Sequence, residues 1–156
     1  MMKMRFLCCA HREELSKKPS QAINIWQDGF DTGKIFFEQK QWNDALPQLG
    51  CAFETAEIIF TSRAVEARHA SDIFAHSSIL LARVFAELGY IDQSFEVLLL
   101  AIERIEQELT YQPDTKVWLN ISLQTIYDAL DSPLFMKSSS APLPHQATRR
   151  ARLAIH

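Results

Sequence analysis

The chain has 156 residues, of which 47% are apolar and 22% charged, the proportions of a globular domain with one hydrophobic core. Its formal net charge of −3 excludes a whole-chain attraction to nucleic acid or to an anionic membrane. The three cysteines lack the spacing of a disulfide framework, which indicates free thiols in a reducing compartment. Only four glycines occur, and this favours helices over a fold with many turns.

Residues 1–19 form a lead-in whose order the sequence leaves uncertain. Its apolar part, Phe6 to Ala10, is too short for the hydrophobic region of a secretory signal peptide, and charged residues follow at once. No segment has the run of about 20 apolar residues that spans a bilayer. We therefore expect a cytoplasmic protein that has no membrane partner.

Residues 20–131 carry helical periodicity and are expected to form one all-α domain of about five helices. Ser20 is a candidate cap for the first helix, which should end near Gln39. Gly29 and Gly33 inside this helix would each cost about 1 kcal/mol relative to alanine. Their fourfold spacing therefore indicates that the next helix packs closely at that point.

The second helix should begin at a cap provided by Asn43, and Pro47 is tolerable only in or near its first turn. Neither glycine nor proline marks the end of this helix. The turn that follows is expected either at residues 61–62 or at residues 70–72.

The third helix should stop at Gly89, which suits the left-handed conformation of a C-terminal cap. Asp92 can cap the fourth helix, which should run to about Leu109. Pro113 precedes a fifth helix, which is placed to close the domain. Residues 132–156 are rich in serine, proline and arginine and are expected to be a flexible tail.

Two stretches of the domain match each other in register at six positions. Small residues recur where two helices would approach closely, and larger ones recur where the space between helices must be filled. The pairs are Gly33 with Ala82, Phe36 with Phe85, Trp42 with Ile91, Ala45 with Ser94, Leu49 with Leu98 and Ala52 with Ala101. This pattern resembles the tetratricopeptide repeat (TPR), a helix–turn–helix unit of about 34 residues. The resemblance covers about residues 26–107 and implies antiparallel helical hairpins in a protein-binding scaffold.

One feature departs from the resembled family. The matched residues Gly33 and Ala82 lie 49 positions apart, whereas the repeat has about 34 residues. Either the helices are longer than in the family or the chain contains an insertion.

The resemblance also implies a binding groove, because the first helix of each repeat in that family lines a concave surface. On that register the groove residues are Phe30, Lys34 and Phe37 from the first copy and His76, Ile79 and Arg83 from the second. Aromatic side chains beside cations favour a partner segment with apolar anchors and a carboxylate. The alternative is that the two phenylalanines are core residues covered by the fifth helix.

Motifs for catalysis are incomplete. Glu66 and His69 stand three apart on one helix, as in di-iron carboxylate bundles, but the second copy that such sites need is missing. No phosphate-binding loop, nucleophile elbow or zinc-protease motif occurs. We expect no catalytic residue, no bound metal and no cofactor.

The sequence therefore predicts a non-enzymatic protein–protein interaction module, an adaptor or chaperone-like binder whose partner is a protein or peptide. Homo-oligomerisation through the same groove is compatible with this prediction. An alternative function is a helical regulator whose tail arginines, Arg149, Arg150 and Arg152, contact nucleic acid. This alternative is disfavoured, because the basic patch is small and the domain is acidic. A metal-dependent helical enzyme is a third hypothesis.

Overall fold

A computed structural model of the chain describes residues 6–7, 9–111 and 113–132. These residues form helices, turns and short connections, and no strand occurs among them. The elements in chain order are α1 (Cys9–Lys17), α2 (Pro19–Glu38), α3 (Trp42–Ser62), α4 (Ala67–Glu87), α5 (Ile91–Tyr111), a 3₁₀ turn (Pro113–Thr115) and α6 (Lys116–Leu130). The predicted all-α class is confirmed, and the additional helix is α1, in the lead-in. The predicted flexible tail lies, from residue 133 onward, outside this range.

Short connections fold the helices into two consecutive hairpins. Helix α2 packs against α3 and α4 packs against α5, while α3 also packs against α4. Helix α6 packs against both α4 and α5, and α1 packs against α2 and α3. One layer therefore contains α2, α4 and α6 side by side, and α3 and α5 form the layer behind it. The closing position predicted for the last helix is the position of α6.

Long helices explain the wide spacing of the matched positions. Helix α2 has 20 residues, and α3, α4 and α5 have 21 residues each. The connection between the two hairpins consists only of residues 63–66. The 49-residue spacing therefore comes from helix length and not from an insertion.

Small residues stand where the helices within each hairpin approach closely. A Cβ atom added to Gly33 would lie 2.5 Å from Leu49 Cδ2, so α2 and α3 leave no room for a side chain there. In the second hairpin Ala82 and Ala101 are fully buried, and Ser94 Oγ donates a hydrogen bond to the Ala82 carbonyl at 2.7 Å. The close helix approach predicted at Gly33 is confirmed.

Several predicted helix starts are wrong by one or two residues. Helix α2 begins at Pro19, because proline is well tolerated in a first turn whose amide groups have no helical partner. Ser20 is consequently inside the helix. Helix α3 begins at Trp42, which puts Asn43 inside its first turn and makes Pro47 the sixth residue of the helix, in its second turn. None of the caps that precede α2 and α3 uses a side-chain hydrogen bond.

The ends of the helices follow the sequence more closely. Gly89 has φ +86°, in the left-handed region, directly after the C-cap of α4, and this prediction is confirmed. Neither proposed turn is correct in position. Residues 61–62 form the last part of α3 and lie directly before the connection at residues 63–66, whereas residues 70–72 lie inside α4. Asp92 is the second residue of α5 and not its cap.

Arg63 connects the two hairpins in an unusual backbone conformation. It has φ +58°, a left-handed value that is costly for a residue with a side chain. Its Nη2 donates a 2.7 Å hydrogen bond to Glu108 Oε1, and its Nε lies 3.1 Å from both carboxylate oxygens. These hydrogen bonds raise the pKa of the Arg63 guanidinium above its ordinary value, so the cation is maintained. The guanidinium also lies 4.6 Å from the centroid of the Tyr111 ring.

The N-terminal segment is held by buried contacts with α3. Leu15 is 1% exposed in the core. The buried carboxylate of Glu54 accepts hydrogen bonds from the backbone amides of Phe6, at 2.9 Å, and Leu7. Arg12 donates to Glu57 at 2.9 Å and lies 3.4 Å from Glu54. The N-terminal segment, including helix α1, is therefore part of the same hydrophobic core as the rest of the domain.

The close helix contact in the second hairpin can be tested by overpacking. Ala82→Leu and Ala101→Leu should each lower the free energy of unfolding by about 1–3 kcal/mol, because the added atoms have no space. Ala64→Leu, at an exposed loop position, is the matched control and should change it little. Chemical denaturation measures the difference, and a tolerated leucine at position 82 or 101 would contradict this packing.

The contribution of α1 can be tested by truncating its buried side chain. Leu15→Ala should cost about 2–5 kcal/mol of unfolding free energy, as buried leucines typically do. Leu99→Ala is the control, since Leu99 is 44% exposed on α5. Equal losses in the two variants would mean that α1 does not fold together with the domain.

Candidate functional site

The predicted groove residues lie on two neighbouring helices of the same layer. Helix α2 carries Phe30, Lys34 and Phe37, and α4 carries His76, Ile79 and Arg83. Phe37 and Arg83 are in direct contact, with the guanidinium carbon 4.8 Å from the ring centroid. This cation–π contact joins α2 to α4 at the surface and leaves the other face of the cation open.

Phe37 is also in contact with the start of α3. Its ring meets Trp42 edge to face, with centroids 5.2 Å apart. The phenylalanine is half-buried and packs against the hydrophobic core, so it is neither a core residue nor freely exposed. Arg83, Phe37 and Trp42 together form a surface cluster, which we call the Arg83 cluster.

A second aromatic pair lies further toward the start of α2. Phe30 stacks on Trp26, with ring centroids 5.1 Å apart. Trp26 Nε1 donates a 2.7 Å hydrogen bond to Ser77 Oγ on α4. Ser77 Oγ donates in turn to the Ile73 carbonyl at 2.7 Å. This chain of hydrogen bonds fixes the position of α2 against α4 and gives Phe30 a rigid support.

The charged members of the predicted groove differ in their surroundings. Lys34 and Arg83 are exposed, and neither has a salt bridge to any residue that the structure describes. His76 is engaged within its own helix, because its Nδ1 lies 2.8 Å from the Asp72 carbonyl and 3.2 Å from the Asp72 carboxylate. Ile79, which stands between His76 and Arg83 along α4, is half-buried. Lys34 and Arg83 are therefore the cations available to a partner.

A second surface feature was not predicted from the sequence. A cleft of about 710 Å³ lies between α4 and α6. Its lining residues are Glu66, Arg68, His69, Asp72, Trp118, Ile121 and Ser122. We call this the α4–α6 cleft. Arg68 covers one face of Trp118, with the guanidinium carbon 4.4 Å from the ring centroid.

The periodicity of α6 conceals this cleft. The sequence predicts only that this helix closes the domain, but Trp118 is 38% exposed and Ile121 is 54% exposed. Leu119, Ile126 and Leu130 are the residues that close the core. Helix α6 thus has a second apolar strip, which a helical periodicity alone does not separate from the first.

The residues considered for metal binding do not form a ligand set. Glu66 and His69 both line the α4–α6 cleft, but no group of three or more metal-ligating side chains occurs among the described residues. Cys51 is half-buried, and burial, reinforced by the neighbouring Glu54 carboxylate, raises the pKa of its thiol. At neutral pH it is therefore less nucleophilic than an exposed cysteine.

Comparisons with known proteins yield no relative: no protein-family model, curated protein or solved structure matches the chain. A search of the described helices for a segment long and apolar enough to cross a bilayer found none.

The expectation that the protein binds no metal can be tested by elemental analysis. The purified protein should contain less than stoichiometric iron, manganese and zinc. His69→Ala should change neither the metal content nor the melting temperature, because His69 is exposed and a lone imidazole makes a weak site. Metal at one equivalent that is lost in this variant would favour the metalloenzyme hypothesis.

Proposed function

We propose that the protein is a non-enzymatic protein-interaction module of TPR-like architecture, an adaptor or chaperone-like binder in the cytoplasm. Its binding surface is the groove between α2 and α4, and its partner is a protein or peptide segment. The observation that supports this most directly is the Arg83 cluster, which presents an unpaired cation on a half-buried aromatic ring. The two packed hairpins support the repeat-like architecture.

The chemistry of the groove defines the partner segment. Phe30 and Phe37 offer apolar contact to an anchor side chain, and about 25 cal/mol is gained for each Å² of apolar surface removed from water. Lys34 and Arg83 offer hydrogen bonds and positive charge to a carboxylate nearby. A segment with one or two large apolar residues next to Asp or Glu fits both requirements.

The aromatic side chains of the proposed binding surface are held in place by contacts within the domain. Phe30 is supported by Trp26, which is hydrogen-bonded across to α4, and Phe37 is held between Trp42 and Arg83. Side chains that are already ordered lose little rotamer freedom when a partner arrives, so more of the contact energy appears as affinity. This ordering of the two aromatic side chains supports a binding role for the surface.

The test begins with affinity capture from the native cell, using the wild-type chain and Phe37→Ala in parallel. Phe37→Ala should weaken the binding of any partner that the wild type retains. The loss should come mainly from faster dissociation, because an apolar anchor acts after docking. The matched control is Ile35→Ala, which removes a 55%-exposed apolar side chain from the same helix. Equal retention by all three chains, with the fold intact, would place the binding surface elsewhere.

The charged residues predict a different kinetic effect. Lys34→Glu with Arg83→Glu should slow association, and added salt should reduce the difference from wild type, because exposed charges act mainly by steering. Lys17→Glu with Lys18→Glu makes the same charge change at the junction of α1 and α2, outside the set of proposed groove residues, and should have a smaller effect. Stopped-flow or surface-binding kinetics measure both rates.

A further inference from the structure

The α4–α6 cleft combines acidic and apolar surface. Glu66 and Asp72 contribute carboxylates, and Trp118 and Ile121 contribute exposed apolar area. Arg68 lies over the Trp118 ring and keeps its positive charge, so the two carboxylates of the lining outweigh one guanidinium. The cleft therefore suits an occupant that carries cations together with aliphatic side chains, the opposite charge to that required by the α2–α4 groove.

The same strip of α6 extends beyond the cleft. Val117 is 64% exposed beside Trp118 and Ile121, so three large apolar side chains are exposed within five positions of one helix. Contiguous apolar patches of this kind usually mark a contact surface. In each hairpin the second helix covers the first, whereas no described element folds back over this strip of α6.

The chain itself contains a segment of matching chemistry. Residues 149–155 read RRARLAI, with Arg149, Arg150 and Arg152 followed by Leu153 and Ile155. The positive charges of this segment are complementary to Glu66 and Asp72, and its aliphatic side chains are of the same apolar character as the exposed strip of α6. No other stretch from residue 133 onward contains an arginine.

The connecting chain is long enough for this contact. Leu130 ends α6, and Ile121 lies nine residues earlier, a distance of about 14 Å along the helix axis. Residues 133–148 span up to about 50 Å when extended. The segment can therefore turn back along α6 and enter the cleft without strain.

We propose that residues 149–155 occupy the α4–α6 cleft of their own chain, with the arginines next to Glu66 and Asp72 and with Leu153 and Ile155 on Trp118 and Ile121. The segment then acts as a built-in ligand. A short docked motif is compatible with a tail that is flexible elsewhere, as its composition predicts. An external protein with a basic and aliphatic segment would have to displace it, so the cleft is autoinhibited. This proposal does not depend on the function assigned to the α2–α4 groove.

Disulfide trapping in the full chain tests the contact. The native cysteines Cys8, Cys9 and Cys51 are replaced by alanine, and Ile121→Cys is combined with Ile155→Cys. Under mild oxidation the two thiols should form an intramolecular disulfide. The control pair is Ile35→Cys with Ile155→Cys, because Ile35 is 55% and Ile121 54% exposed. Both introduced cysteines on the domain are at the surface, so neither should perturb folding.

The decisive variants carry substitutions in the tail and keep the introduced cysteines. Leu153→Asp, or Arg149→Glu with Arg150→Glu and Arg152→Glu, should slow the 121–155 disulfide at least about tenfold, since docking raises the effective thiol concentration. Neither change should slow the 35–155 control pair. Glu66→Arg with Asp72→Arg should restore the rate in the chain whose tail arginines are reversed to glutamate.

Three results would overturn the proposal. The first is a rate of 121–155 disulfide formation that, in both tail variants, stays within about twofold of the rate measured with the unaltered tail. The second is a disulfide that joins two chains, which would assign the cleft to the tail of a second copy. The third is an unchanged disulfide rate together with a short DNA duplex that the full chain binds and the arginine-reversed chain does not. That result would assign the arginines to nucleic acid.

Discussion

Close packing of helices at small residues is the constraint on which the rest of this structure depends. Gly33 lets α2 lie directly on Leu49, and the second hairpin closes through the Ser94 hydrogen bond to the Ala82 carbonyl. With both hairpins closed, α2 and α4 become neighbours in one layer, although they share little buried area with each other. Phe37 and Arg83 meet only because of that arrangement. The candidate site is thus a consequence of packing on the opposite side of the same helices.

The sequence predicted those features that depend on a residue's own properties or on neighbours close in the chain. Gly89 marks the end of α4 because glycine tolerates a left-handed conformation, and Gly33 marks a close approach because it has no side chain. Features that join distant positions escaped prediction. Glu54 holds the amide of Phe6 across 48 positions, and Trp26 reaches Ser77 across 51. Nothing in the local pattern of either residue indicates its partner.

Helix α4 is shared by two surfaces of different character. Its C-terminal half supplies Arg83 to a basic and aromatic groove, and its N-terminal half supplies Asp72 to an acidic and apolar cleft. A ligand on either side would contact the same rigid helix, which is buried against α3, α5 and α6.

The junction at Arg63 limits how far this protein can change by single substitutions. Its left-handed backbone would be relieved by glycine or asparagine, yet neither side chain can reach the carboxylate of Glu108 as the guanidinium does. Lysine would keep the charge but lose the forked hydrogen bonds. Each improvement of the backbone therefore removes a partner from a buried carboxylate. Local conformation and long-range contact therefore favour different residues at position 63.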